Sequence, residues 1–322
     1  MGEFDVIRRY FQHPLRPAGV VLGNGDDCAL LTPAPGQTLA VSTDMLVEWR
    51  HFFPDVDPEA LGHKALAVNL SDLAAMGAEP LAFTLALSLP KVDEVWLEGF
   101  STGLLALANL HGCALVGGDT TAGPLNLCIT VFGQVPATQA LRRSSAQVGD
   151  DIYVSGTLGD ARLALEALQG QVSLGAVDLA RVRQRLERPT PRVALGQALR
   201  GVAHAAADVS DGLTGDLAHI LNASDVGADL HWSKISNSIA ISSVMKSVND
   251  GFLFDFFLNG GDDYELVFTA PPSAHWQVQQ AATQAQTPVT RIGTICAKSG
   301  IRVLDHNGLP MALPGRSFDH FA

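Results

Sequence analysis

The chain has 322 residues, of which 47% are hydrophobic and 17% charged, a composition typical of a folded globular protein long enough for two domains. Its formal net charge is −12 and it contains no Lys/Arg block, which argues against nucleic acid or an anionic membrane as a partner. The sequence predicts no membrane-spanning helix, and four cysteines without a CxxC pair, together with no cleavable signal, favour a cytoplasmic location.

The first half of the chain alternates predicted strands and helices. Helices are expected at residues 3–12, 58–76 and 93–111, and strands at residues 28–31, 38–45, 81–89, 113–118 and 125–135. Asp57 and Asp93 are typical helix N-caps, and Gly77 and Gly112 are placed to end the same two helices. The alternation predicts an α/β domain over residues 1–137.

A second α/β pattern follows a polar stretch without periodicity at residues 136–150, where we place the domain boundary. Strands are expected at residues 151–156, 203–208, 264–270, 289–296 and 301–304. Helices are expected at residues 159–168, 177–187 and 191–200, from about residue 213, and at 273–286. Residues 232–252 have no assignable pattern. These elements predict a second domain over residues 149–322.

Aspartate is unusually frequent, with 24 Asp against 9 Glu, and six Gly-Asp dipeptides occur in the chain. Gly-Asp pairs are typical of tight turns, but short carboxylates on such turns are also hard oxygen ligands for Mg²⁺. Several aspartates adjoin predicted strand ends: Asp26, Asp27, Asp44, Asp119, Asp208 and Asp211. Two carboxylates about 4 Å apart repel by about 4 kcal/mol at an effective dielectric constant of 20. The aspartates are therefore either scattered over the surface or gathered around cations.

The donor types favour a magnesium–nucleotide site over other metal sites. Carboxylates and hydroxyls, as in the run Ser42-Thr43-Asp44, suit Mg²⁺ or Mn²⁺, and substrate phosphates usually complete a Mg²⁺ shell. The chain has no GK dipeptide and so no P-loop, and GNGDDC (23–28) lacks the dinucleotide fingerprint. Protein-kinase and GxSxG hydrolase motifs are also missing. A nucleotide would therefore be held by metal ions and backbone groups.

The predicted helix at 58–76 carries Asn69 and Asp72 on one face. This face is either solvated or lines the site, with Asp72 as a further metal ligand.

Seven segments together resemble the thiamine-monophosphate kinase family, within the PurM-like (aminoimidazole-ribonucleotide-synthetase-like) superfamily. They are VVLGNGDDCALL (20–31), AVSTDML (40–46), HFFPDVDP (51–58), KALAVNLSDLAAMGAEP (64–80), LVGGDTT (115–121), ADVSDGL (207–213) and NGGDDYELVF (259–268). With the start of the chain and the closing GRSFDHF (315–321), the resemblance extends over essentially the whole chain.

The resemblance implies a two-domain PurM-like α/β (α+β) fold, with an N-terminal mixed-sheet domain and a C-terminal α/β domain, and a homodimer formed through the N-terminal domains. It implies ATP- and Mg²⁺-dependent phosphorylation of thiamine monophosphate. The positions matching Mg²⁺ ligands are Asp27, Ser42, Thr43, Asp44, Asp72, Asp119, Asp208 and Asp211. The positions matching nucleotide contacts are Gly118, Asp119, Arg143 and Ser210, and those matching substrate contacts are His51, Asp262 and Phe318.

The chemistry needs no general base, because a phosphate monoester acceptor is already ionised near neutral pH. One position departs from the family, which usually has GGEDYEL where this chain has GGDDYEL, so that Asp262 is one methylene shorter. Phe318 is the candidate wall for the thiamine rings, with plain packing as the alternative. His51 and Arg143 are alternatively surface residues. The competing functions are those of another PurM-like synthetase and of a non-enzymatic metal or nucleotide regulator.

Overall fold

The computed structural model describes residues 2–313 and residue 315, which form two compact units. The first unit comprises the chain through Leu73 together with Ala78–Thr138. The second comprises Ala74–Gly77 and the chain from Gln139 onward. Phe318 lies outside the described residues. Within the described part of the chain, no helix combines the length and apolar character that a bilayer crossing requires.

The first unit contains a four-stranded mixed sheet. Its helices are α1 (Glu3–Tyr10), α2 (Pro58–Ala75) and α3 (Glu94–Leu110). Its strands are β1 (Val20–Leu22), β2 (Leu30–Leu31), β3 (Gln37–Val47), β4 (Glu79–Leu89), β5 (Ala114–Ala122) and β6 (Asn126–Pro136). The sheet order is β3-β6-β4-β5, and only β4 and β5 run parallel. Strands β1 and β2 form a separate antiparallel pair. The predicted helices and strands of this half are present, with β2 shorter and β5 longer than predicted, and β1 was not predicted.

Helices α2 and α3 cover one face of this sheet. They cross closely at glycines, because a Cβ on Gly62 would lie 2.0 Å from the Phe100 carbonyl oxygen and one on Gly103 would lie 1.9 Å from that of Glu59. Helix α2 reaches β6, where a Cβ on Gly133 would come within 2.9 Å of Leu73. The opposite face of β3 is exposed. The glycines at positions 62 and 103 therefore allow α2 and α3 to pack this closely.

The second unit has a six-stranded sheet in the order β12-β9-β11-β7-β10-β8. Its strands are β7 (Asp151–Ser155), β8 (Ala205–Asp208), β9 (Gly227–His231), β10 (Leu266–Ala270), β11 (Val289–Cys296) and β12 (Gly300–Leu304). Its helices are α4 (Asp160–Leu168), α5 (Ala176–Glu187), α6 (Val193–Ala198), α7 (Leu213–Ser224), α8 (Trp232–Ser236), α9 (Asp250–Asn259) and α10 (His275–Gln284). All neighbouring strands are antiparallel except β12 and β9.

The sequence assigned most of these elements but missed those between residues 227 and 259. Strand β9 is five residues long and pairs only with β11 and β12, which are distant in sequence. The unassigned segment 232–252 contains α8, whose Ile235 is fully buried, and the beginning of α9. These elements depend on tertiary packing, which the local sequence pattern does not encode.

Candidate active site

A cavity of about 550 Å³ in the first unit contains three of the predicted site residues. Asp27 lies in the loop Asn24–Ala29, and Gly118 and Asp119 lie in β5. Asp26, from the same loop as Asp27, also lines the cavity. Apolar side chains also line the cavity: Phe4 and Ile7 from α1, and Phe11 at the C-cap of that helix. The cavity lining therefore combines carboxylates and backbone groups with hydrophobic side chains.

Strand β5 continues through the predicted site, which corrects the expectation that it ends at Gly118. Gly118 has φ +151° and lies against β4, so that a Cβ there would be 1.9 Å from the Leu85 carbonyl oxygen. Only glycine fits this position. The ladder runs through it, with Gly118 opposite Leu85 and Asp119 opposite Ala86. Gly118 thus allows the strand to remain paired while Asp119 lines the cavity.

A second group of predicted residues lies where β3 faces α2. The Ser42 hydroxyl donates a hydrogen bond to Asp72 Oδ2. The Asp44 backbone N–H donates to Asn69 Oδ1 at 3.2 Å, and Asn69 is only 1% exposed. The polar face of α2 therefore packs on β3 and is not a solvated face. The Thr43 side chain points to the other side of the sheet, where its Oγ1 lies 2.9 Å from that of Thr130.

The described residues contain no group of three or more His, Cys, Asp or Glu side chains placed to hold a metal ion together. Among the described residues, the aspartates singled out by the sequence are therefore not gathered three together around one point, and their role as Mg²⁺ ligands stays a prediction. The donors around the cavity nevertheless fit Mg²⁺, since Asp26, Asp27 and Asp119 offer oxygen atoms only. A Mg²⁺ ion bound there would take most of its remaining ligands from water and phosphate.

In the second unit, two loops are joined by backbone hydrogen bonds. Asp262 N–H donates to the Ser210 carbonyl at 2.8 Å, and Tyr264 N–H donates to that of Val209 at 2.9 Å. A Cβ on Gly261 would lie 2.5 Å from the Ser210 carbonyl oxygen, so the loops meet backbone to backbone. This contact brings Asp262 beside the loop that carries Asp208, Ser210 and Asp211.

Asp262 and Tyr264 both occupy left-handed backbone conformations, with φ of +65° and +50°. The Tyr264 hydroxyl donates to Asp262 Oδ1 at 3.1 Å, which holds the carboxylate in place. These conformations interrupt the predicted strand at 264–270, and β10 therefore begins at Leu266. Non-glycine residues rarely adopt such conformations, and they concentrate at functional sites.

Asp216 organises the loop that carries Ser210 and Asp211, and sequence reasoning missed it. Its Oδ2 accepts N–H bonds from Ser210 and Asp211, both at 3.0 Å, and from Gly212 at 3.2 Å. The pKa of Asp216 is raised to about 7, chiefly by burial and also by the charge of Asp211, while the backbone N–H groups and the charge of Arg143 act in the opposite direction. The Arg143 carbonyl accepts a hydrogen bond from the Ser224 hydroxyl at the C-terminal end of α7, at 2.8 Å.

The raised pKa of Asp216 predicts a pH dependence of stability. An unfolded Asp titrates near about 3.9, so between about pH 4 and pH 7 the folded protein binds more protons here, and stability decreases as pH rises. We expect the free energy of unfolding, measured in urea without divalent ions, to fall more steeply over this range in the wild type than in Asp216→Asn. Equal slopes for the two proteins would contradict the assignment.

Glu265 is the centre of a buried ionic network that the sequence also did not reveal. It accepts hydrogen bonds from Arg185 Nη2 at 2.7 Å, Arg192 Nε at 2.6 Å and Ser155 Oγ at 2.5 Å, and it is fully buried. The neighbouring Asp263 is also fully buried, and burial raises its pKa well above the usual range. The three acidic residues in the run DDYE (262–265) are a sequence signal for a charged cluster, but the basic residues that pair with them are distant in sequence.

His51 lies in the turn after β3, where its Nδ1 accepts the Val47 backbone N–H at 2.9 Å. The site residues thus form three groups. The cavity group contains Asp27, Gly118 and Asp119; the group between β3 and α2 contains Ser42, Asp44 and Asp72; the loop group of the second unit contains Arg143, Asp208, Ser210, Asp211 and Asp262.

Comparisons with known proteins agree on one family. Residues 25–135 match the N-terminal domain of AIR synthase related protein, and residues 147–306 match its C-terminal domain. Thiamine-monophosphate kinase of Salmonella typhimurium is 48% identical over 324 residues, covering 100% of this chain and 98% of that protein.

Two solved structures extend the likeness to three dimensions. Thiamine-monophosphate kinase from Stenotrophomonas maltophilia K279a is 46% identical with a TM-score of 0.86, covering 97% of this chain and 98% of that one. AaThiL complexed with AMPPCP and TMP is 28% identical with a TM-score of 0.77, covering 90% and 89%. With its two PurM-like domains and its similarity over the full length, this chain belongs to the thiamine-monophosphate kinase family.

Proposed function

We propose that this protein transfers the terminal phosphoryl group of ATP directly to the phosphate of thiamine monophosphate, giving thiamine diphosphate and ADP. The acceptor oxygen forms a bond to the terminal phosphorus as the bond from that phosphorus to the ADP oxygen breaks. The acceptor is already ionised, so no side chain has to remove a proton. The observation that carries the proposal is the cavity lined by Asp27, Asp119 and apolar side chains, in a chain similar throughout to these kinases.

The two kinds of lining residue in this cavity suit the two parts of a nucleotide. The apolar wall of Phe4, Ile7 and Phe11 can pack against a base, and Gly117 and Gly118 leave room for phosphate oxygens to approach the backbone. Asp27 and Asp119 would hold Mg²⁺ against those oxygens, and Asp72 would do so beside Ser42. When bound, Mg²⁺ neutralises charge on the bridging and transferred phosphates.

The loop group of the second unit supplies the remaining proposed contacts. Asp208 and Asp211 would be further Mg²⁺ ligands, and Ser210 and Arg143 would contact the nucleotide. Asp262 would contact thiamine monophosphate, with its carboxylate held by Tyr264. The rigid backbone connection between the two loops keeps Ser210 and Asp262 in a fixed relation, and positioning of this kind is a main source of rate in phosphoryl transfer.

A panel of acceptor substrates, tested with purified protein, ATP and Mg²⁺, distinguishes the kinase from another PurM-like synthetase and from a non-enzymatic regulator. We expect ATP to be consumed with thiamine monophosphate and not with formylglycinamidine, selenium or carbamoyl-derived acceptors. ATP binding without consumption in the presence of every acceptor would instead favour a regulator. We also propose that the protein acts in the cytoplasm and that residues 1–137 and 149–322 are its two domains.

We further propose a homodimer formed through the first unit. The face of edge strand β3 that points away from α2 carries exposed apolar residues: Leu39, Val41, Met45 and Val47. A strip of this kind, apolar on both sides of Thr43, is typical of an interaction surface. A second copy offering the same strip would bury it by two-fold symmetry.

Val41→Glu is expected to convert the dimer into a monomer, because it places a charge in the middle of this strip, where Val41 is 55% exposed. Light scattering after size-exclusion chromatography measures the mass directly. Val95→Glu makes the same change at an apolar residue of α3 that is 82% exposed, and this control should remain dimeric. A wild-type monomer, or a dimer that survives Val41→Glu, would contradict the proposed surface.

A further inference from the structure

The turn after β3 has a backbone held by hydrogen bonds at nearly every residue. Trp49 N–H donates to the Phe52 carbonyl at 2.9 Å, and the N–H groups of Arg50 and His51 donate to the Val47 carbonyl at 3.1 and 2.9 Å. The Val47 N–H donates to His51 Nδ1 at 2.9 Å, which pins the imidazole to the same turn. The turn therefore displays Trp49 and His51 on a rigid support.

Trp49 is unfavourable for stability at this position. Its φ is +68°, a left-handed conformation in which a side chain with a Cβ is strained and glycine is preferred. Its side chain is 77% exposed, so little burial offsets that strain. Strained non-glycine residues persist mainly where function requires them. The structure therefore gives a reason to look for a ligand of the indole.

We propose that Trp49 determines substrate recognition by stacking on the thiazolium ring of thiamine monophosphate, an inference that rests on the proposed kinase function. The thiazolium carries a permanent positive charge, and indole offers the strongest aromatic face for a cation. His51, the proposed substrate contact, is two residues away on the same rigid turn. The exposed Asp55 and Asp57 follow shortly after and add negative charge to this loop.

The competing explanation is that Trp49 packs against a second copy of the chain. Met45 and Val47 of the strip proposed for the dimer directly precede the turn in sequence. If Trp49 packs at a subunit interface, its replacement should change KM equally for charged and uncharged substrates. If Trp49 stacks on the thiazolium, its replacement should raise KM only for the substrate whose ring is charged. Ring charge is therefore the property that the experiment varies.

The test compares Trp49→Leu and Trp49→Phe with the wild type, using thiamine monophosphate and an analogue whose thiazolium is replaced by an uncharged ring of the same shape. Trp49→Leu is expected to raise KM for thiamine monophosphate about tenfold. KM for ATP and KM for the uncharged analogue should stay within about twofold. Trp49→Phe should be intermediate. The matched control is Trp276→Leu, because Trp276 is 69% exposed on α10, and it should leave all three KM values unchanged.

Trp49→Gly supplies a second measurement that does not depend on the leucine variant folding well. It should raise the thermal unfolding midpoint by about 2–4 °C, because the backbone strain is relieved, while raising KM for thiamine monophosphate as Trp49→Leu does. An unchanged KM in an active enzyme, or a KM change that accompanies loss of the dimer or applies equally to the uncharged analogue, would overturn the role of Trp49. A folded wild type that forms no thiamine diphosphate would instead overturn the proposed function itself.

Discussion

Asp119→Asn is expected to lower the turnover number by about 10²- to 10³-fold while leaving the protein folded. Asp119 lines the cavity of the first unit from a strand whose course is fixed by Gly118. The amide keeps the shape of the side chain but removes the negative charge that would hold Mg²⁺ against phosphate oxygens. The measurement is the steady-state rate of thiamine diphosphate formation at saturating substrates, together with a circular dichroism spectrum.

The control for this prediction is Asp178→Asn, which makes the same change of charge at a half-exposed site on α5. It should retain the wild-type rate. If Asp119→Asn also retained the wild-type rate at low and high Mg²⁺ concentrations, the cavity group would not be part of the active site.

Glu265→Ala is expected to lower the free energy of unfolding of the second unit by about 3–5 kcal/mol. The substitution leaves the guanidinium groups of Arg185 and Arg192 without their shared carboxylate partner in a largely buried environment. It also removes the acceptor of the Ser155 hydroxyl. Because the Glu265 carbonyl accepts the Val209 N–H, loosening this region should also disturb the two joined loops and reduce activity.

Urea unfolding measures the loss, and Glu187→Ala is the matched control. Glu187 pairs with Arg183 one helical turn earlier on α5, where both side chains are more exposed than Glu265, and i,i+4 helix pairs contribute less than about 1 kcal/mol. Equal losses of stability in Glu265→Ala and Glu187→Ala would show that the buried network does not stabilise the second unit.

Local patterns were sufficient to predict most of the fold. The alternation of helical and strand patterns, together with caps such as Asp93, located α2 to α6 and the long strands of both sheets. Strand β5 extends further than its sequence suggested, because Gly118 and Asp119 remain paired with β4 although Gly-Asp is typical of a turn. Strand β9 and helix α8 depend on partners far away in the chain and have no comparable local signal.

The sequence predicted the candidate site only at residues that belong to Asp-rich segments or to motifs of the family. The Asp-rich segments and the family resemblance identified Asp27, Asp72 and Asp119 as site residues, and the structure adds the cavity shared by the first and last of them. The sequence could not reveal Asp216 or Glu265, because the importance of these residues comes from hydrogen bonds to loops and side chains elsewhere in the chain. A backbone angle such as that of Trp49 likewise has no counterpart in composition or periodicity.

Product analysis of one reaction tests the central claim most directly. The full-length protein is incubated with ATP, thiamine monophosphate and Mg²⁺, and then again with the Mg²⁺ removed by a chelator. Carboxylates that hold Mg²⁺ against a triphosphate predict equal amounts of ADP and thiamine diphosphate in the first reaction and neither product in the second. ADP formed with inorganic phosphate and unchanged thiamine monophosphate, or thiamine diphosphate formed equally well without a divalent ion, would contradict the account.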